Sequence, residues 1–337
     1  MTQALRIAIV GVGAIGAFIA SRLHRLSQQP GGPALQLSAL ARGETLAVLR
    51  GQGLRFHEAG QTHTVPLQLA DSTLAGAQSL GPQDLVIVAV KEPALRGLAP
   101  QIAALAGEGG RVLLAMNGLP WCFFDGLEGP LQGQTLATLD PEGTLRAHLP
   151  SQQVLGCVVH ASCRNLGPGE VQHVMGQGLI LGEMVGQPSE SLAQWVALMA
   201  AAGFDAKASA RIQADIWYKL WGNMTMNPIS ALTLSTCDRI LDDALLRDWC
   251  ARVMREASAL GARFGCPIDQ SPEDRFAVTR KLGAFKTSML QDREAGRPME
   301  IDALLGVVHE VATRLDQPCP ETATLLGLIR LLDASRA

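Results

Sequence analysis

Lys219, Asn223 and Asn227 are a lysine and two amides at four-residue intervals, the polar residues of this 337-residue chain best spaced to act together. In a helix that spacing lays them along one face, with only a modest drift at each step. An ammonium group of ordinary pKa, about 10.4, is charged at neutral pH and can stabilise and then protonate an oxygen on which negative charge builds. Amides beside it donate and accept hydrogen bonds without adding charge, which suits them to hold a small carboxylate. Trp217, Leu220, Trp221 and Met224 make the rest of the segment apolar. Pro228 removes a backbone donor and biases Asn227 away from the helical region, so the helix is expected to end or kink there. Tyr218 directly precedes Lys219, and adjacent positions do not share a helix face, so a Tyr-x-x-x-Lys acid is absent. The same spacing also fits the wet face of an ordinary helix, and it does not by itself separate the two readings.

A second arrangement stands at the start of the chain, in Ile7-Ala-Ile-Val-Gly11-Val-Gly13-Ala-Ile-Gly16. An apolar strand runs into G-x-G-x-x-G and then into a helix from about Ala14 to Leu26, the context that this motif needs to mark a dinucleotide site. Gly11 allows a tight turn, Gly13 removes the side chain that would block a pyrophosphate, and Gly16 lets the helix pack close to the sheet. The helix would aim its free N–H groups and positive dipole end at the phosphates. At the end of the next strand stands Ala41-Arg42-Gly43, with no acid before Glu44. A guanidinium there suits a ribose 2′-phosphate, where a carboxylate would repel it, so NADPH is the cofactor expected.

These groups need a frame. The chain exceeds the usual single-domain size, which predicts two domains. The first half alternates short apolar strands, at Leu35–Leu40, Leu85–Val90 and Arg111–Met116, with helices at Glu44–Arg50 and Pro93–Leu105. This is a doubly wound α/β pattern. Gly-rich β-like segments at Val154–His160, Gly169–Val174 and Leu179–Gly182 extend it, followed by a helix at Ser191–Ala202 and a short strand near Asp205. Beyond Ser209 the periodicity is helical, with stripes at Leu245–Phe264 and Glu300–Leu315. The expected architecture is a Rossmann-type α/β domain over residues 1–208 and an all-α domain over 209–337.

Composition narrows the function classes. A net charge of -3 gives no electrostatic reason to expect nucleic acid or an anionic membrane as partner. No apolar run is long enough to span a bilayer, and Met1–Arg6 leads straight into the first strand with no room for a signal peptide. Seven scattered cysteines form no C-x-x-C and no zinc spacing, as expected for reduced thiols in a cytoplasmic protein without a metal.

Several motifs in order now resemble one family: the strand-plus-glycine start, Val90-Lys91, Met116-Asn117-Gly118, K-x-x-x-N-x-x-x-N-P from Lys219 to Pro228, Ser288-Met-Leu-Gln-Asp292, and Glu300-Ile-Asp302. Together they look like the ketopantoate reductases, over nearly the whole chain. The resemblance implies an N-terminal Rossmann domain, a helical C-terminal domain for substrate binding and homodimer contacts, and NADPH-dependent reduction of a 2-keto acid in the cleft between the domains. By position it makes Lys219 the catalytic lysine and Glu300 a substrate-binding glutamate. Asn223, Asn227 and Ser288 become substrate-holding polar residues, and Arg42, Lys91 and Asn117 cofactor contacts alongside the three glycines. A carboxylate at Glu300 would accept from a substrate hydroxyl and repel a second acid, favouring a hydroxylated monocarboxylic keto acid. It could equally be a solvated residue that opens a helix. Residues 119–150, with Trp121, Phe123 and Phe124, are longer and more aromatic than the family pattern, and such a segment can reshape a pocket. Two alternatives stay open: an NADPH-dependent enzyme for another 2-keto or 3-hydroxy acid, and a protein that senses NADPH without turnover.

Overall fold

The computed structural model describes residues 4–335 and divides the chain into two compact units. One holds the chain up to Met116 together with Gly143–Ile212, and the other holds Asn117–Glu142 together with everything from Gln213 onward.

The first unit is built on ten strands among the described residues: β1 Leu5–Val10, β2 Leu35–Ala41, β3 Leu54–Glu58, β4 Gln61–Val65, β5 Gln68–Asp71, β6 Leu85–Val88, β7 Arg111–Leu114, β8 Val154–Gly167, β9 Glu170–Glu183 and β10 Asp205–Ala208. Its helices are α1 Ala14–Ser27, α2 Gly43–Gln52, α3 Leu74–Leu80, α4 Glu92–Leu95, α5 Ala99–Ala106, α6 Thr144–His148 and α7 Glu190–Ala201. Strands β5-β2-β1-β6-β7-β8 lie side by side and parallel, as the predicted doubly wound α/β class requires. The chain crosses from one side of β1 to the other between β2 and β6, and such a switch point leaves a crevice at the strand ends. β1 and β6 read as continuous apolar runs because both of their faces are covered, and all of Leu85–Val88 is fully buried.

Three details differ from the sequence reading. The Gly-rich segments after Val154 are one long antiparallel hairpin, β8 and β9, with irregular register where it passes Ser162 and Asn165. β3 pairs parallel with β9 and antiparallel with β4, so the sheet curls beyond the parallel core. The predicted helix Pro93–Leu105 is broken into α4, a 3₁₀ turn at Arg96–Leu98, and α5, since Gly97 is a weak helix former and Pro100 favours a first turn.

From Gln213 onward the described residues of the second unit form helices joined by loops, with no strand, as predicted for the C-terminal domain, whereas residues 117–142 are turns with one 3₁₀ helix at Phe123–Gly126. The unit contains α8 Ile212–Thr233, α9 Cys237–Asp242, α10 Ala244–Arg263, α11 Pro272–Arg280, α12 Ser288–Glu294, α13 Val307–Arg314 and α14 Pro320–Ala334. A π-helical stretch, Asp302–Gly306, runs directly into α13. The expected boundary at residue 208 is shifted, because Ser209 donates its N–H to Leu181 O (2.7 Å) and stays with the sheet. Residues 117–142 lie outside the first unit altogether. Their aromatic side chains explain this: Phe124 meets Phe264 edge-on at 5.2 Å, Trp217 meets the same ring at 4.8 Å, and Trp121, Phe123 and Phe124 are all buried. The aromatic rings of this stretch are core of the second unit.

Candidate active site

At the tip of β1 the glycines do three different things. A Cβ at Gly11 would stand 2.7 Å from Val90 Cγ1 and 2.8 Å from Ala89 O, and its φ of +98° is left-handed. Gly11 therefore lets the loop after β1 nest against the loop after β6, and Ala89 N–H bonds Val10 O (2.9 Å) alongside. A Cβ at Gly16 would stand 2.0 Å from Gly11 O, so only glycine lets α1 start this close to the turn. Gly13 is different: a Cβ there would meet nothing within 4 Å. It caps α1 in extended conformation, with no side-chain cap and no acid in the first turn. Free N–H groups thus face open space that the fold does not need, which fits a cofactor pyrophosphate.

Lys91 and Arg42 share this end of the sheet. Lys91 caps α4 in the loop that follows β6, and Arg42 caps α2 at the end of β2. Arg42 is exposed; its carbonyl takes the Leu46 N–H (3.2 Å), and its guanidinium makes no hydrogen bond or ion pair among the described residues. The three loops stand at the carboxyl ends of β2, β1 and β6, which are consecutive in the sheet.

In the second unit α8 carries the lysine–asparagine face. Trp217 and Trp221 anchor the opposite face, both buried, with Trp221 Nε1 donating to Met254 O (2.7 Å) of α10. Of the two outcomes expected at Pro228, the helix does not end there: it passes through Pro228 and runs to Thr233, after which Leu234 turns left-handed with φ 52°. Packing outweighs the lost hydrogen bond: Met224, Ile229 and Ala231 are buried, and the Arg293 guanidinium binds the carbonyls of Ala231 and Leu232. Lys219 and Asn223 are half-buried, and Asn227 is buried.

One more of the predicted residues meets this helix, and another is buried in the same unit. Asn227 Nδ2 donates to Ser288 Oγ at 3.5 Å, at the limit of a hydrogen bond, and Ser288 itself is exposed on the first turn of α12. Glu300 is only 8% exposed, so it is not the solvated helix opener that the sequence left open. The chain from α12 to Glu300 is fixed by buried Asp292, whose carboxylate takes the Arg297 Nε–H at 3.0 Å while its carbonyl takes the Arg297 N–H at 2.8 Å. Asn117 opens the segment that belongs to this unit. Next to it, Gly118 (φ +84°) presses on the π-helical stretch, where a Cβ would meet Ala303 O at 2.5 Å, and Leu119 N–H bonds that carbonyl (3.2 Å). Asn117 is thereby tied to the helix that follows Glu300, and the glycine loop, Arg42 and Lys91 are tied to one another in the first unit.

The sequence reading missed Arg275 of α11. Its guanidinium lies over the Tyr218 ring, 5.3 Å from the centroid, and against α8 at Gly222, where a Cβ would stand 2.9 Å from Nη2. The only sequence signal was a glycine inside a helix, which needs a packing reason. Burial pushes the Cys250 thiol up to about 12 and the Cys237 thiol up to about 11, which makes these two poor nucleophiles.

The description "Ketopantoate reductase PanE/ApbA" fits residues 7–186, and its C-terminal counterpart fits residues 211–333. The chain belongs to the ketopantoate reductase family. A 2-dehydropantoate 2-reductase of Mesorhizobium japonicum is 38% identical over 98% of this chain and 99% of its own. A Ralstonia solanacearum protein, provisionally named a ketopantoate reductase, is 51% identical in its crystal structure, with TM-score 0.92 and 99% of both chains covered. A D-mandelate dehydrogenase with NADH and anilino(oxo)acetate shares the fold at TM-score 0.82 and 19% identity. In this ketopantoate reductase family member the aromatic segment 117–142 falls within the sequence of the N-terminal family model but is packed with the C-terminal unit. No helix among the described residues is long and apolar enough to cross a membrane.

Proposed function

We propose that this chain reduces 2-dehydropantoate to pantoate with NADPH, in the cytoplasm and as a homodimer. NADPH supplies the hydride that reaches the carbonyl carbon. The N–H groups around Gly11, Gly13 and Gly16 take the pyrophosphate, Arg42 pairs with the 2′-phosphate, and Lys91 and Asn117 hold the parts of the cofactor nearer the reacting end. Lys219 stabilises the oxygen as it becomes an alkoxide and then gives it a proton. Asn223, Asn227 and Ser288 hydrogen-bond the substrate's polar groups.

Glu300 carries the choice of substrate. A carboxylate kept 8% exposed in the unit that holds Lys219 can accept from a substrate hydroxyl and repels a second acid. A keto acid with one carboxylate and one hydroxyl fits that combination, and the kinship with 2-dehydropantoate 2-reductases points the same way. The homodimer reading draws on a dimeric ketopantoate reductase of Staphylococcus aureus and on exposed Leu328 and Leu331 of α14. NADPH oxidation measured against 2-dehydropantoate, pyruvate, 2-oxoglutarate and phenylpyruvate tests the activity. The highest kcat/KM is expected for 2-dehydropantoate and the lowest for 2-oxoglutarate, and preference for an unhydroxylated keto acid would refute the proposal.

A further inference from the structure

We propose that Arg275 binds the substrate carboxylate and thereby orients the keto acid along α8. This rests on reading the chain as a 2-keto acid reductase. Arg275 is half-buried, its guanidinium makes no hydrogen bond or ion pair among the described residues, and its Nε is buried with no acceptor. A cation held in that way has an unmet demand for an anion, since buried guanidinium groups are ordinarily paired. The neighbouring acids do not meet it: Glu273 pairs with Arg255 at 3.1 Å, and Asp274 closes the cap of α11 on Ser271.

The placement is built. Tyr218 offers its ring beneath the guanidinium and is itself fixed by its hydroxyl, which donates to Gln270 Oε1 at 2.6 Å. Gly222 sits in the interior of α8, where glycine weakens a helix relative to alanine. A Cβ there would come within 2.9 Å of Nη2, 3.0 Å of Nε and 3.3 Å of Cζ, so the missing side chain makes room for the guanidinium plane. Gly222 follows Lys219 by three residues, and such positions are surface neighbours about 5–6 Å apart. An anion on Arg275 is therefore next to whatever Lys219 holds, as a carboxylate is next to its 2-keto group. Asp215 stands four residues before Lys219, the spacing of a helical ion pair, whereas Arg275 has no such acid.

The arrangement gives the substrate a direction. Its carboxylate lies at Arg275 and its carbonyl oxygen at Lys219. Asn223 and Asn227 follow along α8, Asn227 about 7.5 Å beyond Gly222 along the axis, to receive the remaining polar groups. A planar fork bound to a planar carboxylate would fix the carbonyl's orientation as well as its distance, which a lysine at the same place would not do.

The test compares 2-dehydropantoate with its methyl ester, at saturating NADPH, in the full chain and in Arg275→Ala, Arg275→Lys and Gly222→Ala. The ester lacks the charge that Arg275 reads, so it reports any general disturbance of α8. Arg275→Ala should lower the acid-to-ester ratio of kcat/KM by about 10- to 100-fold, carried mostly by KM. Arg275→Lys should recover only part of that ratio, and guanidinium ion added to Arg275→Ala should raise the rate with the acid alone. Gly222→Ala, which displaces the guanidinium without removing it, should lower the ratio in the same sense. Equal losses for acid and ester, or an unchanged ratio in Arg275→Ala, would overturn the assignment. A wild-type chain that reduces neither compound would instead refute the parent reading.

Discussion

The glycine loop of the first unit and the lysine helix of the second, in the roles proposed for them, would recognise their ligands by opposite means. Around Gly11, Gly13 and Gly16 the backbone is the instrument, and the side chains matter by being absent: two of the three missing Cβ atoms make room for the protein itself, the third for nothing in the protein. On α8 the side chains are the instrument, and their partners come from α11 and α12, far away in sequence. A backbone site is written locally as glycine spacing. A side-chain site is written locally only in part, because one helix supplies one row and tertiary packing supplies the rest.

Substitutions can break that contrast, and the largest effect is expected at Gly16. Gly16→Val would drive a side chain into Gly11 O and should cost about 3 kcal/mol of stability as well as cofactor binding, read by thermal melts and by NADPH titration. Gly13→Val should leave the melting temperature nearly unchanged, since nothing of the protein occupies that space, yet weaken NADPH and NADH alike by more than tenfold. A Gly13 variant that loses stability but keeps its affinity would reverse the roles assigned to the two glycines. Arg42→Ala sharpens the comparison because Arg42 is the side chain expected to act in a backbone site. It should weaken NADPH about tenfold, about 1.4 kcal/mol, and leave NADH unaffected.

The smallest effect concerns how the second unit holds its inserted segment. Burial raises the Glu310 carboxyl pKa, but hydrogen bonds from the Thr138 and Ala137 N–H groups, both at 2.8 Å, and the Arg314 cation outweigh it and hold the group below the usual glutamate range. A depressed folded pKa stabilises the fold above the unfolded value and ceases to do so as pH falls through the folded one. Glu310→Gln should therefore cost about 1 kcal/mol at neutral pH and little in acid, measured as melting temperature against pH. A cost that does not shrink in acid would mean that the carboxylate charge is not what holds residues 137–138.

Legibility followed the same divide. The parallel strands and the glycine turn could be read because burial on both faces leaves continuous apolar runs and because glycines mark backbone constraints. Leu54–Asp71 escaped notice, since Leu54 and Phe56 alternate with polar residues in a strand too short to stand out from loop sequence. Pro228 misled because its local cost is visible in sequence, whereas the packing and the Arg293 cap that override it come from a segment more than 60 residues later, the Arg293–Ala231 contact spanning 62 residues. The unit to which the aromatic segment belongs was hidden in the same way, because Phe123 and Phe124 find their ring partner in Phe264, just beyond α10. Glu300 was legible as a residue type at a motif position, and its burial was not, because that depends on the turn that Asp292 and Arg297 hold. Arg275 had no local signature except its counterpart, the glycine inside α8.

The central claim is that the two kinds of site divide the labour, with the cofactor held by backbone in the first unit and the proton supplied by Lys219 in the second. The most direct test is to measure kcat with 2-dehydropantoate and the Kd for NADPH, side by side, in the wild-type chain and in Lys219→Ala. Loss of a general acid and oxyanion donor should lower kcat by about two orders of magnitude or more while the NADPH Kd stays within about twofold. Wild-type turnover in the variant, or a loss of activity matched by an equal loss of NADPH affinity, would contradict the account.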